Sequence, residues 1–527
     1  MLNSMRLRNL RSFSGDISSP FIDLKPLTIF VGKNSSGKSS FLRSLPLLRQ
    51  SVEAKTTGPI LWFGSYVDFG AFSEAKKNNC DSDVIYFDFK LELDLIRETY
   101  KRNHYYRHRN IGRNKLDLTV EIGVSESSKK TIAKELTIKI DSNVYHFVFD
   151  KKDKCTLNIN GQEEKFTSEL AHFSVNQFLP LIGSFIEVDR GLGREKNTAT
   201  VFEDDYIELY FADKIKYSIK KYFHQNTSLK TISDGVRQIG ASRREDVKSN
   251  LQRIFKGNTI FLRNLEKYEG KICETVYELS MHSCLSKILH GINFKIENTF
   301  KNVRYIAPLR ATAERYYRHQ DLQIEEIDHT GSNLAMLLRS FTHAENVNFS
   351  NWTMSSFGFK VRVEEMGLHY ALKIQTENDD REYNINDMGF GFSQILPIVT
   401  SIWMEVSNRK NIRKYRGTKH QLIFAIEQPE LHLHPEYQSR LARMFASIIV
   451  SAKENDINLI LLFETHSKTM VDTIGDCIED DVVSNEDVNI VLFQKDIEED
   501  STQVKFSKFS EEGFLEEWPV GFFSGRD

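Results

Sequence analysis

"GKNSSGKS", residues 32–39, is the stretch on which the reading of this chain turns. It matches the pattern G-x-x-x-x-G-K-[S/T]. It follows "PLTIFV" (26–31), a short β-branched and aromatic run that predicts a buried strand. It opens "SSFLRSLPLLRQSV" (39–52), whose apolar residues recur at helical spacing. That strand–loop–helix context separates a phosphate loop from a chance Gly/Ser turn, the bland alternative. Gly32 and Gly37 let main-chain N–H groups turn inward around phosphate oxygens, and the helix N-terminus adds a favourable dipole. Asn34, Ser35 and Ser40 belong to the same cradle. Lys38 is expected to reach the β- and γ-phosphates of ATP, and the Ser39 hydroxyl to bind Mg²⁺.

Such a loop needs a metal-holding acid at the end of a neighbouring strand. "LIFAIE" (422–427) supplies Glu427, which is expected to hold or orient Mg²⁺ near Ser39. The alternative is a carboxylate that caps the following turn. In the next residues, "QPELHLHP", His432 and His434 stand two apart. On a strand they would share a face and could suit a metal, whereas Pro435 points to a loop.

The bulk numbers bound the answer. The 527 residues allow two to four domain-sized units or one enlarged one. The chain is 40% hydrophobic and 27% charged, ordinary for a globular protein, and its net charge of -3 advertises no polycation. No apolar run approaches the roughly 20 residues that span a bilayer, and "MLNSMRLRNLRSF" has no signal-peptide core. Cys80, Cys155, Cys273, Cys284 and Cys477 form neither a disulfide framework nor a zinc pattern. A reduced, cytoplasmic protein without a membrane partner is expected.

Along the chain, "DVIYFDFKLELD", "LDLTVEIGV", "KELTIKI" and "VYHFVFD" alternate apolar and polar residues, with an "NGQ" turn signal nearby, and predict antiparallel strands. Residues 201–297 read as helical and charged without a sustained heptad. Strand character returns at "NVRYIAPL" and "FKVRVEEMGLHYALKIQT"; after 384 come a Gly-rich turn, a helix, "LIFAIE", a helix from Pro435, "INLILLFE", "VNIVLF" and "QVKFSKF". The expected fold is therefore α/β: a mixed sheet with a phosphate-loop core and an antiparallel β lobe, split by a large, partly helical insertion. The expected divisions are 1–200, an N-terminal ATPase half with the β lobe; 201–300, a helical insertion; 301–380, a connecting region; and 381–527, the C-terminal ATPase half.

"LIFAIEQPELHLHP" followed by "FETHS" (463–467) resembles the Walker B region and next strand of ABC-type ATPases of the structural-maintenance and overcoming-lysogenization-defect group. The resemblance makes His466 the switch histidine that senses the γ-phosphate. It makes "NDMGFGFSQILPIV" (386–399) a divergent signature, with Gly389, Gly391, Ser393 and Gln394. It implies two chains sandwiching two ATPs head to tail, a homodimer or higher oligomer, with Gly391 and Ser393 acting in trans. It also places Glu430 in the dimer-facing loop and His432 and His434 in a loop beside the nucleotide. Most members of the group have a Glu after the Walker B acid; here that position is Gln428. An amide can orient a water but cannot accept its proton near pH 7. Slow or absent hydrolysis is expected, with Glu430 as a substitute base. No Q-loop glutamine is evident in "GSYVDFGAF", where Asp68 is the acid.

"FVGKNSSGKSSFLRSLPLLRQSV", "GPILWFGSYVDFGAF", "VRYIAPLRATAERYY" and "EEWPVGFF" resemble the Septu-type (PtuA-like) anti-phage defence ATPases, including the retron-associated form. That resemblance implies an HNH-type (PtuB-like) nuclease partner and, in retron versions, a reverse transcriptase with its DNA–RNA hybrid (msDNA). No Toprim-like unit is evident after His466, so a separate polypeptide is expected to cut. "YKRNHYYRHRNIGRNK" (100–115) mixes basic and aromatic residues; Arg102, Tyr105, Arg107 and Arg109 are candidates for nucleic-acid contact. The alternative there is a solvated loop beside a protein. "RYYRHQ", from Arg315, is a weaker candidate of the same kind. The competing function is an SMC-like repair or chromosome-maintenance ATPase acting directly on DNA.

Overall fold

The phosphate-loop strand, Leu27–Gly32, is buried at every position and lies in the middle of a seven-stranded sheet. The structure is a computed structural model and describes residues 1–54, 56, 58–94, 115–150, 154–164, 170–173, 178–189, 198–203, 205–240, 244–318, 324–407, 420–496 and 498–519. In spatial order the sheet runs Val303–Ile306, Gln421–Glu427, Asn458–Glu464, Leu27–Gly32, Val488–Asp496, Ser501–Phe509, Leu515–Glu516. The first five strands are parallel and the last two antiparallel. The central strands are hydrophobic throughout because helices cover both faces of a parallel sheet.

The order corrects one expectation. Gln421–Glu427 is not the neighbour of the phosphate-loop strand: Asn458–Glu464 lies between them, pairing Glu427 with Glu464 on one side and Glu464 with Phe30 on the other. Gly32, Glu427 and Glu464 all stand at carboxyl ends of parallel strands, the edge where open α/β sheets bind ligands.

The chain divides into two compact units. One holds Leu2–Ala54, Ile60–Phe87 and Asn298–Asp527; the other holds Met1, Lys55–Pro59 and Asp88–Glu297. In the first, helices Lys38–Glu53, Phe390–Ile402, Pro435–Glu454 and Lys468–Glu479 pack their apolar faces on the sheet. Phe30 meets Phe41 and Phe493 edge-on at 5.4 and 5.3 Å, fixing the loop's strand against its helix. A smaller antiparallel sheet, with Phe359–Met366 and His369–Thr376 as its long hairpin, joins the same core.

The second unit has antiparallel strands Lys115–Ser127, Lys130–Ile140, Asn143–Phe149, Cys155–Ile159 and Gln162–Glu163. Its two-residue turns use left-handed backbone, Ser128 and Lys129 in one and Asn160 and Gly161 in another, which matches the twist of the strands they join. Helices from Tyr206–Lys220 through Glu269–Ser283 follow. The expected antiparallel strands therefore appear, followed in the same unit by helices. Among the described residues no helix is long and apolar enough to cross a membrane.

Candidate functional site

The loop after Leu27–Gly32 is shaped by close approach. A Cβ on Gly32 would lie 2.3 Å from the Phe493 carbonyl oxygen and 2.7 Å from Ser36 Oγ. Gly37 has φ +105°, and a Cβ there would meet Thr502 Oγ1 at 2.5 Å. Thr502 Oγ1 donates to the Ser36 carbonyl (2.9 Å), and Ser12 Oγ and Thr502 Oγ1 are 2.7 Å apart. The last turn of the loop is thus bolted to the Ser501–Phe509 strand. Asn34 and Ser35 are exposed at the tip, Ser35 in the left-handed region. Lys38 is buried and its Nζ donates to the Gly32 and Lys33 carbonyls at 3.0 and 2.9 Å. Burial lowers its pKa, against the pull of Glu464 and Glu430. A cavity of about 590 Å³ opens over the loop, with Arg11, Lys38, Ser39, Ser40, Arg43 and Asp68 in its wall. That is within the ~300–1,000 Å³ range of small-ligand sites.

Two carboxylates face the helix that starts at Lys38. Ser39 Oγ donates to Glu464 Oε2 at 2.7 Å. One turn on, Arg43 grips Glu427 with two bonds, Nε to Oε1 (2.7 Å) and Nη2 to Oε2 (2.8 Å). Tyr305 adds a third donor to Glu427 Oε1 (2.6 Å), and Arg310 Nη2 donates to the Glu427 carbonyl (2.9 Å). Glu427 and Glu464 are each 1% exposed. Burial, then the Glu427 charge, pushes the Glu464 carboxyl up to about 7, while Ser39, Lys38 and Arg43 hold it down.

The residues after Glu427 form a tight turn. Gln428 has φ +41°, its N–H donates to the Glu464 carbonyl (3.1 Å), and its own carbonyl accepts from Leu431 N–H. Glu430 Oε1 accepts the His466 N–H at 2.7 Å, so it orients the start of the "THS" loop. Burial raises the Glu430 carboxyl, and Oε2 is buried without a hydrogen-bond partner among the described residues. His466 is exposed, and partial burial, then Lys38, lowers its pKa. His434 caps the helix Pro435–Glu454 by accepting from Glu436 N–H. His432 sits in the preceding loop with φ +62°.

A family profile, the AAA ATPase domain AAA_15, matches residues 1–471. The chain belongs to the AAA_15 family of ATPase domains. No curated protein matches it. Among solved structures it is similar to an Smc head bound to the C-winged helix domain of ScpA (11% identity, 96% of this chain and 97% of that one, TM-score 0.34). It is also similar to the SMC head domain from Thermotoga maritima (9% identity, 96% and 98%, TM-score 0.33). A third is the recombination mediator protein RecF-ATPrS in the RecFOR pathway (11% identity, 96% and 98%, TM-score 0.27).

In this AAA_15 ATPase the stretch 386–399, where a divergent signature was expected, splits into an exposed and a buried part. Gly389 precedes the helix Phe390–Ile402 with φ +77°, and Phe390 is 60% exposed beside Gly391. Asp387, just before, is ion-paired with Arg315, which engages the basic head of "RYYRHQ" within the chain itself. Ser393 and Gln394 are instead buried: Ser393 Oγ donates to the Phe390 carbonyl, and Gln394 Nε2 reaches the Arg310 carbonyl at 3.4 Å. Arg102, Tyr105, Arg107 and Arg109 lie outside the described residues.

Sequence reasoning passed over Arg11, Arg43, Tyr305, Arg310 and Glu464. For two of them a signal existed. Arg43 is four residues after Ser39 and so shares its helix face. Glu464 ends an apolar strand just as Glu427 does. Arg310 is buried with Nε and Nη1 unpartnered among the described residues, and burial pulls its pKa down to about 10; nothing in its local sequence marks it.

Proposed function

We propose that this AAA_15 ATPase binds ATP·Mg²⁺ at residues 32–40, closes as a head-to-tail dimer around it, and uses that closure to hold or control a separate nuclease in an anti-phage defence system. The observation that carries the nucleotide reading is a convergence. Lys38, Ser39 and Arg43, from the chain's beginning, meet Glu427, Glu430 and Glu464, from near its end, at one edge of one sheet. The donor set suits the cation. A hydroxyl and carboxylate oxygens are hard ligands, and Mg²⁺ usually takes only one or two carboxylates besides phosphates and water. Bound there, Mg²⁺ would neutralise charge on the β- and γ-phosphate oxygens. The nuclease partner, HNH-type and accompanied in retron forms by a reverse transcriptase, rests on the sequence resemblance.

Hydrolysis is slow in this reading. Gln428 can orient a water, but with no carboxylate there the usual proton acceptor is missing. Glu430 already accepts the His466 N–H through one oxygen. ATP then acts chiefly as a ligand that biases an open–closed equilibrium.

The test combines three measurements on the purified full chain, with and without the product of a neighbouring nuclease gene. ATP binding is expected for wild type and lost in Lys38→Ala. Phosphate release is expected to be low in wild type and to rise about 10²-fold or more in Gln428→Glu. Mass is expected to double with ATP·Mg²⁺, and the nuclease to co-purify. Rapid wild-type turnover, or no nucleotide uptake at all, overturns the reading.

A further inference from the structure

We propose that the helices of residues 206–271, in the unit without the phosphate loop, form a binding surface for single-stranded nucleic acid. The inference goes beyond the ATP reading and does not depend on it. Charge is the first support. Residues 214–271 carry 14 Lys and Arg against 5 Asp and Glu, a net +9, in a chain whose total is -3. Everything outside that stretch therefore nets -12. Such asymmetry within one chain points to a polyanionic partner.

Packing is the second support, because it puts the charge outside. Tyr206–Lys220 buries Ile207, Phe211, Ile215 and Ile219, and Thr259–Lys267 buries Phe261 and Leu265. Phe223 stacks on Phe261 (4.3 Å) and meets Phe255 edge-on (5.0 Å), which closes an apolar seam beneath the polar faces. Lys248 takes both Glu266 and Glu269, so two of the stretch's five acids are already engaged. Lys220, Lys221, Arg263, Lys267 and Lys271 are exposed and have no carboxylate partner among the described residues. Arg263 and Lys267, four apart, share a helix face.

The third support is aromatic. Asn264 Nδ2 donates to the Tyr222 carbonyl (2.8 Å) and ties the end of one helix to the other. The Tyr222 and Tyr268 rings lie 5.7 Å apart. Lys221 Nζ is 5.2 Å from the centre of the first ring, and Lys267 Nζ is 5.2 Å from that of the second. Tyr268 is 43% exposed and Tyr217, one turn before Lys221, is 58% exposed. Exposed tyrosines among free ammonium groups offer a single strand both things it needs, rings for its bases and cations for its phosphates. A duplex hides its base faces and would use the cations alone.

The experiment titrates the full chain, without nucleotide, into fluorescent oligo-dT, oligo-rU and a mixed-sequence duplex at several salt concentrations. Both single strands are expected to bind, the tighter one naming DNA or RNA as the source. Log affinity is expected to fall with log salt at a slope of about -3.5 for five phosphate contacts. Lys220→Gln/Lys221→Gln/Lys267→Gln is expected to flatten that slope by about 2, and the equal charge change Lys360→Gln/Lys505→Gln/Lys508→Gln, in the other unit, to leave it unchanged. Tyr268→Ala is expected to weaken binding by about 5- to 150-fold, and Tyr268→Phe, which keeps the ring, to restore it. No binding at low salt, or an unchanged slope in the first triple variant, overturns the proposal. So does a duplex that binds more tightly than either strand and ignores Tyr268→Ala. Poly-glutamate that competes as well as the strands overturns it too, and assigns the surface to an acidic protein.

Discussion

Gln428 shows how a single residue is held by its surroundings. Its φ of +41° is uncommon for a side-chain-bearing residue and is fixed by bonds from its own N–H to the Glu464 carbonyl and from Arg310 to the preceding carbonyl. The turn therefore persists whichever side chain it carries, which is why Gln428→Glu is a test of chemistry rather than of fold. A second residue, in the other unit, has a measurable cost of ionisation. His282 is buried, its Nδ1 lies 2.9 Å from Tyr145 OH, and the Phe211 ring packs on it at 5.1 Å. Burial pulls its pKa down to about 4; the Glu164 charge opposes this and the Lys214 charge adds to it. The unfolded chain protonates this ring near 6.5, so between the two values it binds more protons than the folded one. The ring's contribution to stability is thus complete above pH ~6.5 and is lost as pH falls toward ~4, by up to about 3 kcal/mol. Denaturant midpoints of wild type and His282→Gln across that window should diverge least at low pH, the variant's curve being flatter. Parallel curves would mean His282 is not held neutral.

At the scale of elements, the position of the helix Phe390–Ile402 depends on one backbone conformation. Gly389 has φ +77° and ψ 176°, a region open essentially to glycine alone, and no atom lies within 4 Å of where its Cβ would be. Gly389→Ala is therefore a purely conformational change, with no clash to confuse it. It is expected to cost about 1–3 kcal/mol or to swing the start of Phe390–Ile402 away. Amide hydrogen exchange over the first turn of that helix is the readout, and unchanged protection with unchanged stability would refute the strain. The contrast with Gly391 is useful. Its nearest foreign atom would be 3.7 Å from an added Cβ, so Gly391→Ala is expected to be mild in the free protein. Loss of ATP-dependent association in Gly391→Ala alone would then point to a partner surface.

For the whole molecule, the head-to-tail dimer proposed above would complete each nucleotide site with the Gly-rich stretch 386–399 of a second chain. Within the unit that holds the phosphate loop, the start of the helix Phe390–Ile402 presents Phe390, 60% exposed, next to the His432 ring at 6.1 Å. An aromatic ring left in water at a helix start, rimmed by Asp387 and Arg315, is the kind of residue that becomes buried in an interface. Phe390→Asp is expected to leave the monomer's melting temperature unchanged and to abolish the ATP-dependent rise in mass. Light scattering with and without ATP·Mg²⁺ checks it; a normal dimer in the variant removes Phe390 from the interface.

The phosphate loop, its strand and its helix were legible because all of their signal is local: a spacing of glycines, a buried run before it, an apolar helical face after it. The same holds for the Gln421–Glu427 and Asn458–Glu464 strands, and for the hairpins whose turns need left-handed backbone. What the sequence by itself determined is which elements form and which polar residues sit at their ends. Only the tertiary structure decided which of those ends meet. Strand order within a sheet is set by packing between segments hundreds of residues apart, and the period of a strand carries no mark of its neighbour. That is why Glu427 was expected beside Ser39 and Glu464 was found there, with Arg43 and Tyr305 closing over the acid left one strand away.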